Sequence, residues 1–292
     1  MKSLSTVETH ILKRKIEQFL EEDIRYGDIT STLLENLEVS AKILSKSNGI
    51  VCGIQEARIM CDICGVQILF SLNDGDNIQK GLEIMHLSGK LHDLLIMERT
   101  LLNIMMRMSS IATTTNEYVK LINQSKNTVK IAATRKTTPG FRLFEKRAVL
   151  VGGKGYSDTH RWSLDDMVLI KDTHIAASNR TIPDLVAFAK SQTSFSKKIE
   201  IEVQTAKIAI LAARSGVDIL MFDNMKPSII KSTIQKIVTE LGNQRIPIFE
   251  ASGNITLENV SEYIESGVDV ISTSQITFHP EKSIDISLEI MD

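Results

Sequence analysis

This sequence offers few covalent or membrane anchors. Only three cysteines occur in 292 residues. That is an odd number in a chain too large to need staples, so a disulfide framework is excluded and a reduced, cytoplasmic setting is expected. No apolar run is long enough to span a bilayer, and the stretch from Met1 to His10 lacks the apolar core of a signal peptide. Neither sign of charge dominates: 34 basic residues stand against 36 acidic ones, a net charge of -2. A general attraction to nucleic acid or to an anionic membrane is thereby excluded, and any basic site must be a local concentration. There is no low-complexity segment, no sequence-level repeat and no P-loop. What is present is a chain 42% hydrophobic and 24% charged, long enough for a sizeable core and two domains.

The first part mixes helices and strands. Glu8 to Asp23 has Ile11, Leu12, Ile16, Phe19 and Leu20 on one helical face, with Ser5 or Thr6 available as a cap. Strands are expected within 39–54, around a Ser-Asn-Gly turn, and at 66–72 and 82–87, around Asn73-Asp-Gly-Asp76, with a short helix at 55–64. His92 to Met108 is a strongly apolar helix, and a second helix is expected over 111–122. The methionines at 105, 106 and 108 fit core packing better than a binding surface. Residues 1–120 therefore read as a small α/β sandwich domain of the α+β kind. The alternating stretch Ile284 to Ile290 suggests that 277–292 return to it as an edge strand.

Residues 121–276 follow a different grammar, in which short apolar strands repeatedly end in charged or small residues. Val129 to Ala133 runs into Thr134-Arg-Lys-Thr137, Met167 to Ile170 into Lys171-Asp172, and Asp218 to Phe222 into Asp223-Asn224. Lys198 to Val203 carries Glu200 and Glu202, Ile246 to Phe249 meets Glu250-Ala-Ser-Gly253, and Val268 to Ile271 meets Ser272-Thr-Ser274. Helices are expected at 182–191, 205–215, 227–241 and 257–266, three of them stopped by Gly216, Gly242 and Gly267. This is the pattern of a parallel α/β barrel, whose site lies at the C-terminal ends of its strands.

The strand ends suggest chemistry. Arg135 offers a planar fork and Lys136 a point charge, both suited to carboxylate or phosphate. With His160, Arg161 and Lys171 they make five basic groups converging on one barrel mouth. Such crowding in a nearly neutral protein costs stability unless an anion relieves it, which points to a strongly anionic substrate. Glu202 and Asp223 at the next strand ends can hold magnesium, grip ribose hydroxyls or stabilise a developing cation, and equally neutralise the neighbouring bases. The small residues at 251–256 and 271–275 suit the phosphate grip of α/β barrels. The glycine-rich run Gly152 to Arg161 is a weak candidate anion cradle. Arg99, on a largely apolar helix, either snorkels to solvent or faces a partner or an anion. His174 is open to a purely structural role. Cys61-Asp-Ile-Cys64 lacks a second CxxC and reads as buried thiols.

Taken together, these motifs resemble those of the nicotinate-nucleotide pyrophosphorylase, or quinolinate phosphoribosyltransferase (decarboxylating), family. The resemblance extends almost end to end: Glu21 to Thr30, Glu98-Arg-Thr-Leu-Leu-Asn103, Ser110-Ile-Ala-Thr113, Thr134 to Gly140, Glu145-Lys146, His160-Arg161, Leu169-Ile-Lys-Asp172, Glu200-Ile-Glu-Val203, Phe222-Asp-Asn224, Glu250-Ala-Ser-Gly253 and Asp285-Ile-Ser287. It implies an incomplete parallel α/β barrel beside the sandwich domain, in a homodimer with shared active sites that can build further into hexamers. The implied substrates are quinolinate and phosphoribosyl pyrophosphate with Mg2+, and the products are nicotinate mononucleotide, pyrophosphate and CO2.

By the same resemblance, Arg99 reaches into the partner's site and joins Arg135, His160 and Arg161 on the quinolinate carboxylates. Lys136 and Lys171 contact substrate and pyrophosphate, while Glu202 and Asp223 engage ribose hydroxyls and magnesium. These last four are the catalytic candidates; Ser252, Gly253 and Ser274 complete the binding set at the phosphate. Three departures stand out: a longer loop at 154–159, Thr173 where the family has Asn, and Ser274-Gln-Ile-Thr-Phe278 where it has Gly-Ala-Leu-Thr-His. The alternatives are a molybdenum-operon-type paralogue using another aromatic acid, or a Schiff-base lyase built on Lys136 or Lys171.

Overall fold

The computed structural model describes residues 5–291. In chain order its first elements are α1 (Thr6–Ile24), β1 (Glu38–Ser45), β2 (Gly49–Ile50), α2 (Ile54–Cys64), β3 (Gln67–Ser71), β4 (Asn77–Ile78), β5 (Glu83–Lys90) and α3 (Leu91–Gln124). Then come β6 (Lys130–Ala132), α4 (Arg142–Gly153), β7 (Ser157–Asp158), β8 (Val168–Ile170), α5 (Asp172–Ala177), α6 (Ile182–Gln192), β9 (Ile199–Val203) and α7 (Ala206–Arg214). The last are β10 (Ile219–Asp223), α8 (Pro227–Leu241), β11 (Ile248–Ser252), α9 (Val260–Ile264), β12 (Val270–Ser272) and β13 (Ile286–Met291). They form two compact units.

The first unit takes residues 5–116, 139–154 and 280–291. Its four-stranded sheet has the order β13-β1-β5-β3 and is antiparallel throughout, with β13 at the edge beside β1. Ala41, Ile43 and Ser45 of β1 point inward at alternate positions, as a half-buried strand requires. Ser5 caps α1: its hydroxyl accepts from the Glu8 N–H, and the Glu8 carboxylate answers on the Ser5 N–H.

Two expectations change here. The helices expected over 92–108 and 111–122 are one 34-residue helix, α3. The serines and threonines around the expected junction are all satisfied within a continuous helix. Ser110 and Thr115 donate to the carbonyls of Met106 and Ile111 one turn back, at 2.7 and 2.8 Å, while Ser109 and Thr113 accept from the N–H groups of Cys52 and Ile50, each at 2.9 Å. Second, residues 139–154, which contain α4, sit in the first unit rather than with the strands around them in sequence. The charges of α4 explain this. Buried Glu145 meets Arg107 at 2.8 Å, and Arg147 meets buried Glu56 at 2.8 Å, so removing α4 from this unit would strand buried charges. Gly152 and Gly153 therefore end a helix and do not form an anion-cradling loop.

The second unit, residues 117–138 and 155–279, is built on a seven-stranded sheet of order β7-β6-β12-β11-β10-β9-β8. Every pairing is parallel, and β7 and β8 end the order without pairing to each other, so the barrel is incomplete. Its strands are buried nearly throughout, as expected of parallel strands covered on both faces. Gly216, Gly242 and Gly267 follow α7, α8 and α9 with positive φ, as helix stops. Cys61 and Cys64 lie on α2 as free thiols. Burial pushes Cys61 up to about 12 and raises Cys64 as well, which disfavours the thiolate at both.

Candidate active site

Side-chain alternation explains how this barrel delivers its polar residues. Glu200 and Glu202 are two apart on β9 and share a face. Register carries that face across the sheet: Glu202 lies beside Met221, Met221 beside Glu250, and Asp223 beside Ser252. Glu202, Met221, Asp223 and Ser252 all line a cavity of about 540 Å³ at the C-terminal ends of the strands. Glu200 and Glu250 belong to the same inward face but do not line the cavity.

The cavity also takes Arg135 and Lys136 after β6, His160 and Arg161 after β7, Lys171 after β8, and Gly253 and Ser274 after β11 and β12. Ten of the eleven expected site residues thus share one space within the second unit. The eleventh, Arg99, is not a lining residue; it is exposed on α3, 3.8 Å from Glu98. Thr134, Asn224, Asn254, Thr273 and Gln275, which fall in the stretches the sequence points to but are not among its individually named candidates, also line the cavity. They are small or amide residues directly beside expected positions, a signal that pattern without structure does not single out.

The electrostatics are those of an anion site. Arg135, Lys136, Arg161 and Lys171 against Glu202 and Asp223 leave an excess of two positive charges, to which a cationic His160 adds a third. Arg161 is only 8% exposed, and burial first, then Arg135, lowers its pKa from the ordinary value. The buried Arg135 Nε has no hydrogen-bond partner among the described residues. Lys171 pairs with Glu202 at 3.3 Å, and burial holds the Glu202 carboxyl above its usual range against that pull. The Lys171 N–H donates to His174 Nδ1 at 3.0 Å, so His174 anchors the start of α5 structurally.

Backbone geometry sharpens the phosphate side. Gly253 has φ 93°, and a Cβ there would lie 2.4 Å from the Asn224 amide oxygen. That amide sits in a chain: Asn254 donates to Asn224 at 2.9 Å, and Asn224 donates to Asp223 at 3.1 Å. Gly253 thus lets the β11 loop close onto the β10 tip. His160 is also held with φ 50°, its N–H donating to the Asp158 carboxylate at 2.8 Å. Its Nε2 lies 3.5 Å from Glu200 and 3.4 Å from Glu250. Burial pulls the imidazole down, but the two carboxylates outweigh it and push His160 up to about 10, so the ring is cationic at neutral pH.

Comparison with known proteins agrees with this arrangement. The family model "Quinolinate phosphoribosyl transferase, N-terminal domain" matches residues 28–109, and its C-terminal counterpart matches 111–289. The chain belongs to the quinolinate phosphoribosyltransferase family. A probable nicotinate-nucleotide pyrophosphorylase [carboxylating] of Methanothermobacter thermautotrophicus is 40% identical over 279 residues, covering 94% of this chain and 97% of that relative. A chloroplastic nicotinate-nucleotide pyrophosphorylase of Arabidopsis thaliana is 37% identical, covering 97% of this chain and 83% of its own. The solved nicotinate-nucleotide pyrophosphorylase of Francisella tularensis superposes with TM-score 0.87 at 34% identity, covering all of both chains.

This quinolinate phosphoribosyltransferase is therefore a nicotinate-nucleotide diphosphorylase (carboxylating) of NAD biosynthesis. Its fold is the incomplete parallel barrel with an N-terminal antiparallel sheet domain. No helix among the described residues is long and apolar enough to cross a membrane.

Proposed function

We propose that this one cavity holds quinolinate and phosphoribosyl pyrophosphate together, with each strand tip assigned to one part of the pair. What supports this most is the segregation of chemistry along the sheet order. Cations come from the β7 and β6 side and from β8 at the other end, small residues from β12 and β11, and carboxylates from β10 and β9. Arg135, His160 and Arg161 take the carboxylates of the pyridine. Ser252, Gly253 and Ser274 take the 5′-phosphate, where the Ser274 hydroxyl adds a donor that a glycine lacks. Lys136 and Lys171 take the pyrophosphate. Arg99 belongs to the site of a second protomer in a homodimer.

Glu202 and Asp223 grip the ribose hydroxyls and face the positive charge that develops at C1 as its bond to pyrophosphate breaks. The pyridine nitrogen forms the new bond to C1. The carboxylate beside that nitrogen then leaves as CO2, its electron pair stabilised by the quaternary nitrogen, and a proton takes its place. Orientation carries much of the rate, because two anions that repel in water are held together. Glu202, Asp223 and the neighbouring amides are oxygen donors. They fit a magnesium ion that arrives on the pyrophosphate and needs only one or two protein carboxylates. When bound, the ion offsets the charge of the leaving pyrophosphate.

The test is turnover. Purified protein with quinolinate, phosphoribosyl pyrophosphate and magnesium is expected to release CO2 and pyrophosphate in equal amounts. Nicotinate in place of quinolinate should give neither, chelation should stop the reaction, and borohydride should trap no imine. Equal turnover with nicotinate would sink the dicarboxylate assignment. A second expectation concerns Gly253→Ala: the added methyl displaces Asn224 and breaks its link to Asp223. Backbone strain there costs about 1–3 kcal/mol. Affinity for phosphoribosyl pyrophosphate should fall roughly tenfold, about 1.4 kcal/mol, while quinolinate binding changes little. Unchanged affinity for both would show that this close approach does not shape the phosphate side.

A further inference from the structure

Beneath the cavity lie two carboxylates that the assignments above do not use. Glu200 is 0% exposed and Glu250 2% exposed. Neither oxygen of Glu200 has a hydrogen-bond partner among the described residues, and neither does His160 Nε2. Glu250 accepts from the Ser272 hydroxyl. What the two share is His160, with Nε2 between them at 3.5 and 3.4 Å. Placing carboxylates in a barrel interior carries a desolvation penalty that a hydrophobic pair would avoid, so they are poor candidates for a stabilising device.

The geometry restricts what His160 can do. It follows an end strand of the sheet, β7, yet its ring reaches side chains of β9 and β11 inside the barrel. Its positive φ and the Asp158 clamp on its N–H turn it inward. Nε2 is buried against the carboxylates, yet His160 lines the cavity. With Nε2 taken up below, the other edge of the ring is the one left for the cavity. The remaining charges around the cavity are Arg135, Lys136, Arg161 and Lys171, with Glu202 and Asp223.

We propose that Glu200 and Glu250 are positioning residues. They clamp Nε2 of His160 from below, so that the opposite edge of the ring is a fixed donor for the second carboxylate of a pyridine dicarboxylate. This rests on the functional reading above and deepens it by naming what separates a dicarboxylate from a monocarboxylate. His160, Glu200 and Glu250 place their ligand atoms within 4.8 Å of one another, a spacing that also suits a metal ion; the test distinguishes the two.

Calorimetry with quinolinate and with nicotinate, each without phosphoribosyl pyrophosphate, reads the effect. In the Glu200→Gln/Glu250→Gln double variant, quinolinate affinity should fall about tenfold or more, while nicotinate affinity moves by less than about threefold. The single variants should lie between, because either carboxylate alone still holds the ring. In steady state the loss should fall on KM for quinolinate more than on kcat. In a His160→Ala background the double change should be silent, since both carboxylates act through the imidazole.

Thermal melts of the glutamine variants establish that they fold; some lowering is expected, because the carboxylates that keep His160 cationic are lost. Equal losses for both acids, additive losses in the His160→Ala background, or a transition metal that purifies with the parent and is lost from the double variant would each overturn the proposal. A parent protein that binds no quinolinate would instead overturn the functional reading. In that case the metal analysis still judges the clamp.

Discussion

Replacing Arg135 with alanine is expected to weaken quinolinate binding by roughly 30-fold or more, about 2 kcal/mol or greater, with no loss of stability in the unliganded protein. The first half follows from position. Arg135 leaves the buried end of β6, lines the cavity, and keeps a buried Nε without a partner. That donor has lost its water and gained nothing in exchange, so a carboxylate that reaches it meets a group already desolvated. Truncating one member of such a buried charge pair costs about 2–5 kcal/mol.

The second half follows from Arg161. It is buried beside Arg135, and the repulsion lowers its pKa. Removing Arg135 relieves that repulsion, which offsets the packing lost with the side chain. Arg135→Lys should recover little, because lysine keeps the charge but not the fork. Calorimetry for quinolinate and a thermal melt of the apo protein give both numbers. Parent-like affinity would remove Arg135 from the site, and a large drop in melting temperature would make its role structural.

The unequal legibility of the two units has a physical cause. A parallel strand is short, apolar and abruptly terminated, so the tips at Arg135, Lys171, Glu202 and Asp223 stand out in a plain string of letters. The clamp under His160 was half visible. Ile199-Glu-Ile-Glu-Val203 puts Glu200 on the same face as Glu202 by period alone, yet nothing local shows that His160 arrives from another strand to meet it. Long-range partners are invisible wherever the pattern is helical. Ser109 and Thr113, at the expected junction of two helices, have their partners, the backbones of Cys52 and Ile50, more than fifty residues away in sequence. The second protomer proposed to receive Arg99 is a still longer-range property, to which the one chain contributes only an exposed arginine on α3.

The glycines at 152 and 153 show the same limit and carry the largest expected effect on stability. Their sequence suggests a loop that cradles an anion, but they close α4, which packs on α3. A Cβ on Gly152 would lie 2.1 Å from the carbonyl oxygen of Ala112 and 2.7 Å from its carbonyl carbon and Cα. All three are backbone atoms of a long helix and have no rotamer with which to escape. Asn116 then fastens the approach by donating to the Gly152 carbonyl at 3.1 Å.

Gly152→Ala must therefore push the two helices apart and pull Glu145 and Arg147 from the partners that their burial requires. A destabilisation of about 3 kcal/mol or more is expected, at or beyond the upper end for overpacking, which lowers the melting temperature by roughly 6–12 °C. Gly65→Ala serves as the comparison. It has φ 71° but no neighbouring atom within 4 Å of a Cβ, so it carries only backbone strain, about 1 kcal/mol. If the two variants melt together, backbone conformation explains both and the close approach of α4 to α3 is wrong. If Gly152→Ala alone falls far, that glycine is there to let two helices touch, and anion binding belongs entirely to the strand tips.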